Sequence, residues 1–133
     1  MSDWLNIKEN YKDYYGFIYM ITNLKTGQYY IGKKFFWKQV IRKPLKGKIR
    51  RRRCLIESDW RNYYGSSKEL LTDIENQGNQ NFKREIIKYC KDKWECAYYE
   101  LVNQINADVL RDVNSYNGII NVRLGKRKEK ISE

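Results

Sequence analysis

Histidine is absent from this 133-residue chain, and its absence narrows the chemistry that the chain can perform. A histidine-ligated zinc site, a Ser-His catalytic pair and an imidazole acid or base are all excluded. A general base would have to be a tyrosine, a lysine, a carboxylate, a cysteine or a metal-bound water.

Cysteines are few, and long apolar runs are lacking. Cys54, Cys90 and Cys96 are odd in number and do not have the Cys-x-x-Cys spacing of many metal and redox sites. We therefore expect reduced thiols, as in cytoplasmic proteins. No apolar run is long enough for a membrane span, and no signal peptide opens the chain. We expect a cytoplasmic protein without a membrane partner.

Acidic residues are missing from residues 33–53, which we call the basic block. The chain has 27 Lys and Arg against 16 Asp and Glu, a net charge of +11, and 11 of the 27 lie in this block. The other 16 equal the acidic residues in number, so the whole excess is local and indicates a polyanion-binding surface. The candidate nucleic-acid contacts are Lys33, Lys34, Lys38, Arg42, Lys43, Lys46, Lys48, Arg50, Arg51, Arg52 and Arg53.

Hydrophobic periodicity and turn residues predict a small α+β domain. The Gly27 turn joins two strands into a hairpin, and Ser66 with Glu69 has the spacing of a capping box before a helix that Gly78 ends. On the third strand we expect one shared face from Phe82 through Lys88 to Cys90. The predicted elements are strands at 17–22 and 28–32, a helix at 67–77, a strand at 82–90, and helices at 93–105 and 107–113.

We expect a single domain over residues 16–121, because 133 residues suffice for one core. An irregular lead-in, 1–15, would precede it, and a charged tail, 122–133, would follow and fray. Apolar residues such as Trp37 occur in the first half of the basic block, which we expect to pack on the body. The second half is expected to be mobile until an anionic partner binds.

Two tyrosines on the predicted hairpin stand eleven positions apart, Tyr19 in Phe17-Ile18-Tyr19 and Tyr30 in Tyr30-Ile31-Gly32. This spacing resembles the GIY-YIG nuclease family, although Phe17 stands where the family has Gly. Downstream, Glu100 on the second helix and the pair Tyr116-Asn117 match further family positions. The resemblance therefore covers about residues 16–121.

This resemblance implies a small three-stranded antiparallel sheet flanked by helices, with a basic insertion at about 35–59. It also implies a Mg²⁺- or Mn²⁺-dependent DNA endonuclease with a short-site or structure preference, in a bacterial or phage-infected cell. Glu100 would be the metal ligand, Tyr19 the leading candidate for general base, and Tyr30 the group that positions the base or the phosphate. Cleavage of both strands would require a homodimer or two visits.

Other catalytic assignments stay open. Family members often have an Arg and a His on a helix soon after the Tyr-Ile-Gly triplet, but here the basic block intervenes. We prefer Arg61 for this arginine and place Arg84 second, with the five arginines of the block as further candidates. Tyr63 is a third candidate phenol, and Lys33 with its neighbouring cations could favour a phenolate or orient a water. Glu95 competes with Glu100 for the role of metal ligand.

Two other functions explain part of the sequence. A non-catalytic RNA- or DNA-binding protein would account for the basic block but not for the paired triplets with the glutamate helix. An accessory protein on a decayed nuclease scaffold would account for Phe17 but predicts the loss of tyrosines or glutamate that are present. We therefore place the endonuclease first.

Overall fold

The structure, a computed structural model, describes residues 3–127, so residues 128–133 of the predicted charged tail lie outside the described residues. Its strands are β1 (Trp4–Leu5), β2 (Gly16–Asn23), β3 (Tyr29–Phe35), β4 (Trp37–Arg42), β5 (Arg52–Glu57) and β6 (Phe82–Cys90). Its helices are α1 (Lys68–Gln77) and α2 (Lys93–Asn106), with 3-10 turns at Tyr11–Asp13, Trp60–Asn62 and Asn79–Asn81. The predicted α+β class is confirmed.

A four-stranded sheet in the order β1-β6-β2-β3 forms the centre of the fold. Strand β2 is antiparallel to both β3 and β6, as predicted, and the two-residue β1 adds a parallel edge beside β6. Side chains alternate along β2, so Phe17 and Tyr19 enter one core while Ile18 enters another, together with Cys96 of α2. The sheet thus separates two apolar cores.

Residues 3–15 are more ordered than their polar sequence indicates. Trp4 is buried in the first core, and its Nε1 donates to the carbonyl of Trp60 at 2.9 Å. Tyr11 is buried in the same core. The irregular lead-in that we expected therefore contributes strand β1 and two core aromatic residues, because distant partners supply the order that local sequence does not.

Strand β6 does not present one alternating face along its length. The register shifts between Ile18 and Tyr19, which pair with Lys88 and Ile86, so β6 has one extra residue there. This bulge moves the last part of β6 to the opposite alternation. The predicted shared face from Phe82 to Cys90 is therefore wrong beyond the bulge.

Both long helices are confirmed, and the short third helix is wrong. Helix α1 is capped by Ser67, whose side chain accepts from the backbone N–H of Leu70, and not by the predicted Ser66. After α2, Asp108 has a backbone φ of +56° and residues 107–111 form hydrogen-bonded turns. A positive φ interrupts helical geometry, which is why no helix forms over 107–113.

Most of the basic block forms an antiparallel hairpin of β4 and β5, which we call the basic hairpin. The hairpin leaves the body at Phe36, a buried residue whose N–H donates to the carbonyl of Tyr15 and whose carbonyl accepts from Ser58. The start of the block packs on the body through Phe36 and the half-buried Trp37, as expected, but Ile41 is exposed and does not pack there. In the second half of the block, Arg52 and Arg53 belong to β5, and the mobility of this half before an anionic partner binds stays a prediction.

The structure also describes the state of the cysteines and the character of the helices. All three cysteines are free; Cys90 and Cys96 are buried and Cys54 is half-buried. In the part of the chain that the structure describes, neither helix has the length and apolar character needed to cross a membrane.

Two tyrosine hydroxyls predict a loss of stability at high pH. Tyr29 donates to Asp112 and Tyr116 donates to Asp73, each at 2.7 Å. Burial, together with these carboxylates, raises the pKa of each phenol to about 12, whereas tyrosine in an unfolded chain titrates near ~10. The folded protein therefore binds these protons more tightly, so this stabilisation is complete below about pH 10 and is lost as the pH rises to about 12.

We expect the free energy of unfolding, measured by urea denaturation, to fall between about pH 10 and pH 12. The fall should be smaller in the double variant Tyr29→Phe, Tyr116→Phe, which has no phenolic protons to lose at these positions. Equal falls in the two proteins would contradict the prediction.

Candidate active site

Three predicted site tyrosines lie together on one face of the sheet. Tyr19 of β2 and Tyr30 of β3 have ring centroids 6.1 Å apart, and the Tyr63 ring lies edge-on to Tyr19 at 6.0 Å. Tyr19 is buried, whereas Tyr30 is half-buried with its hydroxyl 3.2 Å from Ser66 Oγ. We call Tyr19, Tyr30 and Tyr63 the tyrosine cluster.

Gly32, the last residue of the Tyr-Ile-Gly triplet, leaves room for the Tyr19 hydroxyl. A Cβ at position 32 would lie 2.5 Å from Tyr19 Oη and 2.9 Å from Tyr30 Cε2. Gly65, with a φ of +89°, approaches the same hydroxyl from another segment, where a Cβ would lie at 3.4 Å. The positions of both phenols therefore depend on the absence of a side chain at Gly32.

Two side-chain amides close the open edge of β3 beside the cluster. Asn117 accepts from the N–H of Ile31 at 3.0 Å and donates to its carbonyl at 2.9 Å, and Gln104 donates to the same carbonyl at 3.0 Å. We call Asn117 and Gln104 the amide clamp. Both side chains are buried, and they hold the backbone between Tyr30 and Gly32.

Glu100 of α2 approaches the same edge from the other face of the sheet. Its Oε1 lies 3.1 Å from Lys33 Nζ, and both side chains are partly exposed. Desolvation is the main cause that raises the pKa of Tyr19 and of Tyr30, and the charge of Glu100 adds a smaller contribution to both. Its competitor Glu95 accepts instead from the N–H of Lys91 at the start of α2.

The carboxylates present fit only a cation that needs few protein ligands. Within residues 3–127, no three Asp, Glu or Cys side chains converge on one point. Structural zinc and calcium sites need more ligands than this, whereas Mg²⁺ keeps several waters and binds through one or two carboxylates plus substrate phosphates. Glu100 fits that pattern, and its contact with the Lys33 ammonium shows that a positive charge is accommodated beside it.

Burial makes the two central phenols weaker acids. Desolvation is the first cause that raises the pKa of Tyr19 well above its usual value, followed by Tyr63 and Tyr30. Burial also raises the pKa of Tyr30, although the hydrogen bond with Ser66 and the charge of Lys33 oppose it. Lys33 thus acts on Tyr30 in the expected direction, towards the phenolate, but burial outweighs it and the pKa of Tyr30 is raised.

The two candidate arginines have different surroundings. Arg61 is 62% exposed, lies over the Trp60 ring, and donates to the hydroxyl of Tyr11 at 2.8 Å. Arg84 is 3% exposed and donates to the carbonyls of Arg61 and Tyr63 at 3.0 and 2.8 Å. Arg84 therefore holds the backbone segment that presents Tyr63, whereas the guanidinium of Arg61 is open to solvent.

The basic block divides between the cluster and the hairpin. Lys33 contacts Glu100, and Lys34 lies 4.1 Å from the Tyr63 ring centroid and 2.7 Å from Asp59. The other candidate contacts lie in the basic hairpin and its loop, at Lys38, Arg42, Lys43, Lys46, Lys48, Arg50, Arg51, Arg52 and Arg53.

Two neighbours of the cluster have roles that local sequence does not signal. Ser66, which we expected to cap α1, lies beside the Tyr30 hydroxyl instead. Gln104 had no signal, because a glutamine within a helix is usually solvated. Gly65, directly after Tyr63-Tyr64, was the one local signal that a backbone segment approaches an aromatic side chain here.

Comparison with known families adds an independent finding. Residues 2–120 match a family model described as "Putative endonuclease segE, GIY-YIG domain". No curated protein and no solved structure matches the chain. The matched span includes β1, the whole basic hairpin, the tyrosine cluster and Glu100.

The contact at Gly32 gives a test of this geometry that does not depend on activity. In Gly32→Ala the new Cβ would overlap both phenols, so we expect a loss of about 1–3 kcal/mol in the free energy of unfolding. Gly118→Ala is the matched control, because a Cβ there meets nothing within 4 Å and should change stability by less than about 0.5 kcal/mol. Urea denaturation measures both, and equal stabilities would refute the packing described.

Proposed function

Since the chain belongs to the GIY-YIG nuclease family, we propose that it is a divalent-metal-dependent DNA endonuclease whose active site is the tyrosine cluster with Lys33 and Glu100. The main support is the meeting, at the clamped edge of β3, of buried phenols with an ammonium–carboxylate pair. Both triplet tyrosines and the glutamate that the family resemblance implies take part in it.

Phosphodiester hydrolysis needs an oriented water and compensation of the charge that develops on phosphorus. Glu100 would hold Mg²⁺ or Mn²⁺, which when bound stabilises that charge and acidifies water. Lys33 would offer its ammonium to a non-bridging oxygen, in place of its present contact with Glu100.

Tyr19 would orient the attacking water. Burial raises its pKa and keeps it a neutral phenol at neutral pH, and a phenol oxygen can accept a hydrogen bond from a water. Tyr30, held by Ser66, would fix the position of the phosphate. This assignment keeps Tyr19 as the leading candidate for base but makes its first role that of a fixed hydrogen-bond acceptor.

The arginines would act at different distances from the substrate. Arg61 is exposed and would bind a phosphate oxygen, as proposed for the family arginine. Arg84 would be a positioning residue, because its guanidinium is occupied by the carbonyls of the segment that presents Tyr63. Losing Arg84 would thus disturb the cluster without removing a substrate contact.

The substrate assignment to DNA rests on charge. The basic hairpin concentrates arginine and lysine where the described chain has no acidic residue between Lys33 and Arg53. Exposed basic side chains on a protruding hairpin fit the phosphates of a duplex. Whether one or two subunits act on the duplex is a separate proposal: a homodimer would allow both strands to be cut.

Removal of the metal ligand tests the catalytic proposal directly. With supercoiled plasmid and Mg²⁺, we expect wild-type protein to produce nicked circles, and EDTA to abolish them. Glu100→Gln should reduce the nicking rate by at least about 10²-fold, because it removes the only carboxylate that we assign to the metal. Tyr19→Phe should reduce it by about 10²–10⁴-fold.

Matched controls come from exposed positions outside the cluster. Glu75→Gln and Tyr98→Phe make the same chemical changes at exposed residues of α1 and α2, and should leave the rate within about twofold. Nicking by Glu100→Gln at the wild-type rate would refute the metal assignment. DNA binding with no cleavage in Mg²⁺ or Mn²⁺ would favour the non-catalytic binder instead.

Salt dependence tests the role of the basic hairpin. If the hairpin neutralises ~6 phosphates, log Kd against log salt should have a slope of about 5, measured with a labelled duplex in EDTA. Replacing four loop residues by Gln should lower this slope by about 3–4, and the residues are Lys46, Lys48, Arg50 and Arg51. The control replaces four exposed lysines elsewhere by Gln, at Lys25, Lys68, Lys91 and Lys93. Equal slopes in the two variants would contradict a hairpin interface.

A further inference from the structure

The body of the protein leaves most of one face of the basic hairpin uncovered. Phosphate binding alone does not explain the residues on this face. Residues in direct register lie on the same face, so Gln39, Leu55, Ile41 and Arg53 share one. All four side chains are exposed, with Leu55 at 62% and Ile41 at 63%. We call these four residues the free face.

The body covers this face only at the base of the hairpin. The first pair on the same face is Trp37 with Glu57. Trp37 Nε1 donates to the carbonyl of Tyr14 at 3.0 Å, and Glu57 accepts from Tyr11 and Trp60 at 2.8 Å each. From Gln39 outward, the face extends beyond these contacts into solvent.

Phosphate binding does not account for the aliphatic residues on the free face. Ile41 lines a concave surface with Arg50, Arg51 and Arg53, so an exposed apolar residue shares this surface with three arginines. Phosphate oxygens offer no favourable contact to isoleucine or leucine. The major groove of duplex DNA offers both kinds of partner, because thymine methyl groups lie between two rows of phosphates.

A second copy of this chain is a poorer occupant of the free face. Pairing two hairpins would bring together two basic blocks, each with 11 basic and no acidic residues. Like charges at such an interface repel, whereas a duplex is complementary in charge. The charge balance therefore favours DNA over a homodimer contact at this face.

We propose that the free face enters the major groove and determines which sequences the enzyme cleaves, an inference that rests on the proposed endonuclease function. The groove, about 12 Å wide, admits a two-stranded β-ribbon. Arg53 would donate two hydrogen bonds to guanine O6 and N7, and Gln39 would pair with adenine N6 and N7. Ile41 and Leu55 would contact thymine methyl groups. Basic side chains of the opposite face, Lys38, Arg42 and Arg52, would reach the flanking phosphates.

At Arg53, a substitution can separate the effect of positive charge from the effect of guanidinium shape. Arg53→Lys keeps the positive charge but removes the two-pronged guanidinium, so the preference for guanine should relax by about tenfold at one position near the cut. Arg52→Lys makes the same change on the opposite face and should leave all base preferences intact. Both variants should keep the wild-type salt slope. Cleavage of a randomised duplex library, followed by sequencing of the cut ends, measures these preferences.

The aliphatic contacts have their own test in the substrate. Replacing thymine by deoxyuridine removes the methyl group and leaves the pairing edge unchanged. We expect this replacement to lower the rate at which the wild-type protein cleaves its preferred duplex by several-fold. The variant Ile41→Ala, Leu55→Ala should cleave the two duplexes at nearly equal rates, because it lacks the side chains that contact the methyl groups. Lys38→Ala, on the opposite face, should remain as sensitive to this replacement as the wild type.

Two results would overturn the proposal: cut ends of the wild type without base preference, or Arg53→Lys with an unchanged preference. If the wild type does not cleave, the endonuclease function fails, and the same library is then sorted by retention of bound duplexes on a gel. Base preference among bound duplexes that Arg53→Lys relaxes would keep the groove contact without the nuclease. Circular dichroism of each variant checks that the exposed substitutions leave the fold intact.

Discussion

Strand β3 is the edge of the sheet, and the candidate active site depends on how that edge is closed. An unpaired edge is free to shift or to pair with another chain. Here the amide clamp takes up both backbone groups of Ile31, while β2 pairs along the other side. The residues on either side, Tyr30 and Gly32, are therefore fixed, and Gly32 in turn admits the Tyr19 hydroxyl.

The clamp also links the two faces of the sheet. Gln104 lies four residues after Glu100 on α2, so both side chains project from the same side of that helix. The bond from Gln104 to Ile31 thereby sets the distance of α2 from the edge strand, and with it the position of the Glu100 carboxylate near Lys33. Buried amides, rather than the charged residues themselves, establish where the charges meet.

Local sequence was sufficient for elements with strong local signals. The Gly27 hairpin, helix α1, strand β6 and helix α2 all follow from periodicity, caps and turn residues, and all four are present. Two adjacent serines precede helix α1. Only Ser66 has the capping-box spacing to Glu69, yet Ser67 is the residue that caps the helix, and Ser66 lies beside the Tyr30 hydroxyl. The grouping of Tyr19 and Tyr30 with Glu100 came from family resemblance and not from periodicity.

Features that depend on distant partners were not predictable locally. Trp4 pairs with Arg84, eighty residues away, and nothing in the first five residues signals a strand. Strand β5 was not predicted, because exposed arginines at its start interrupt the alternation of apolar and polar residues that is typical of a strand. Burial is the main cause that raises the pKa of Tyr19 and of Tyr30, and burial cannot be read from the lysines that neighbour them in the sequence.

The attachment of the basic hairpin has a consequence for how such an enzyme can diversify. The chain leaves the body at Phe36 and returns at Ser58, and these two residues are joined by a hydrogen bond of 2.8 Å. Trp37 and Glu57, next to these ends, contact the body, so the segment beyond them can vary in length and sequence while the two ends stay together. If the free face has the proposed role, a different ribbon grafted beyond Trp37 and Glu57 would change the target preference and leave the candidate active site unaltered.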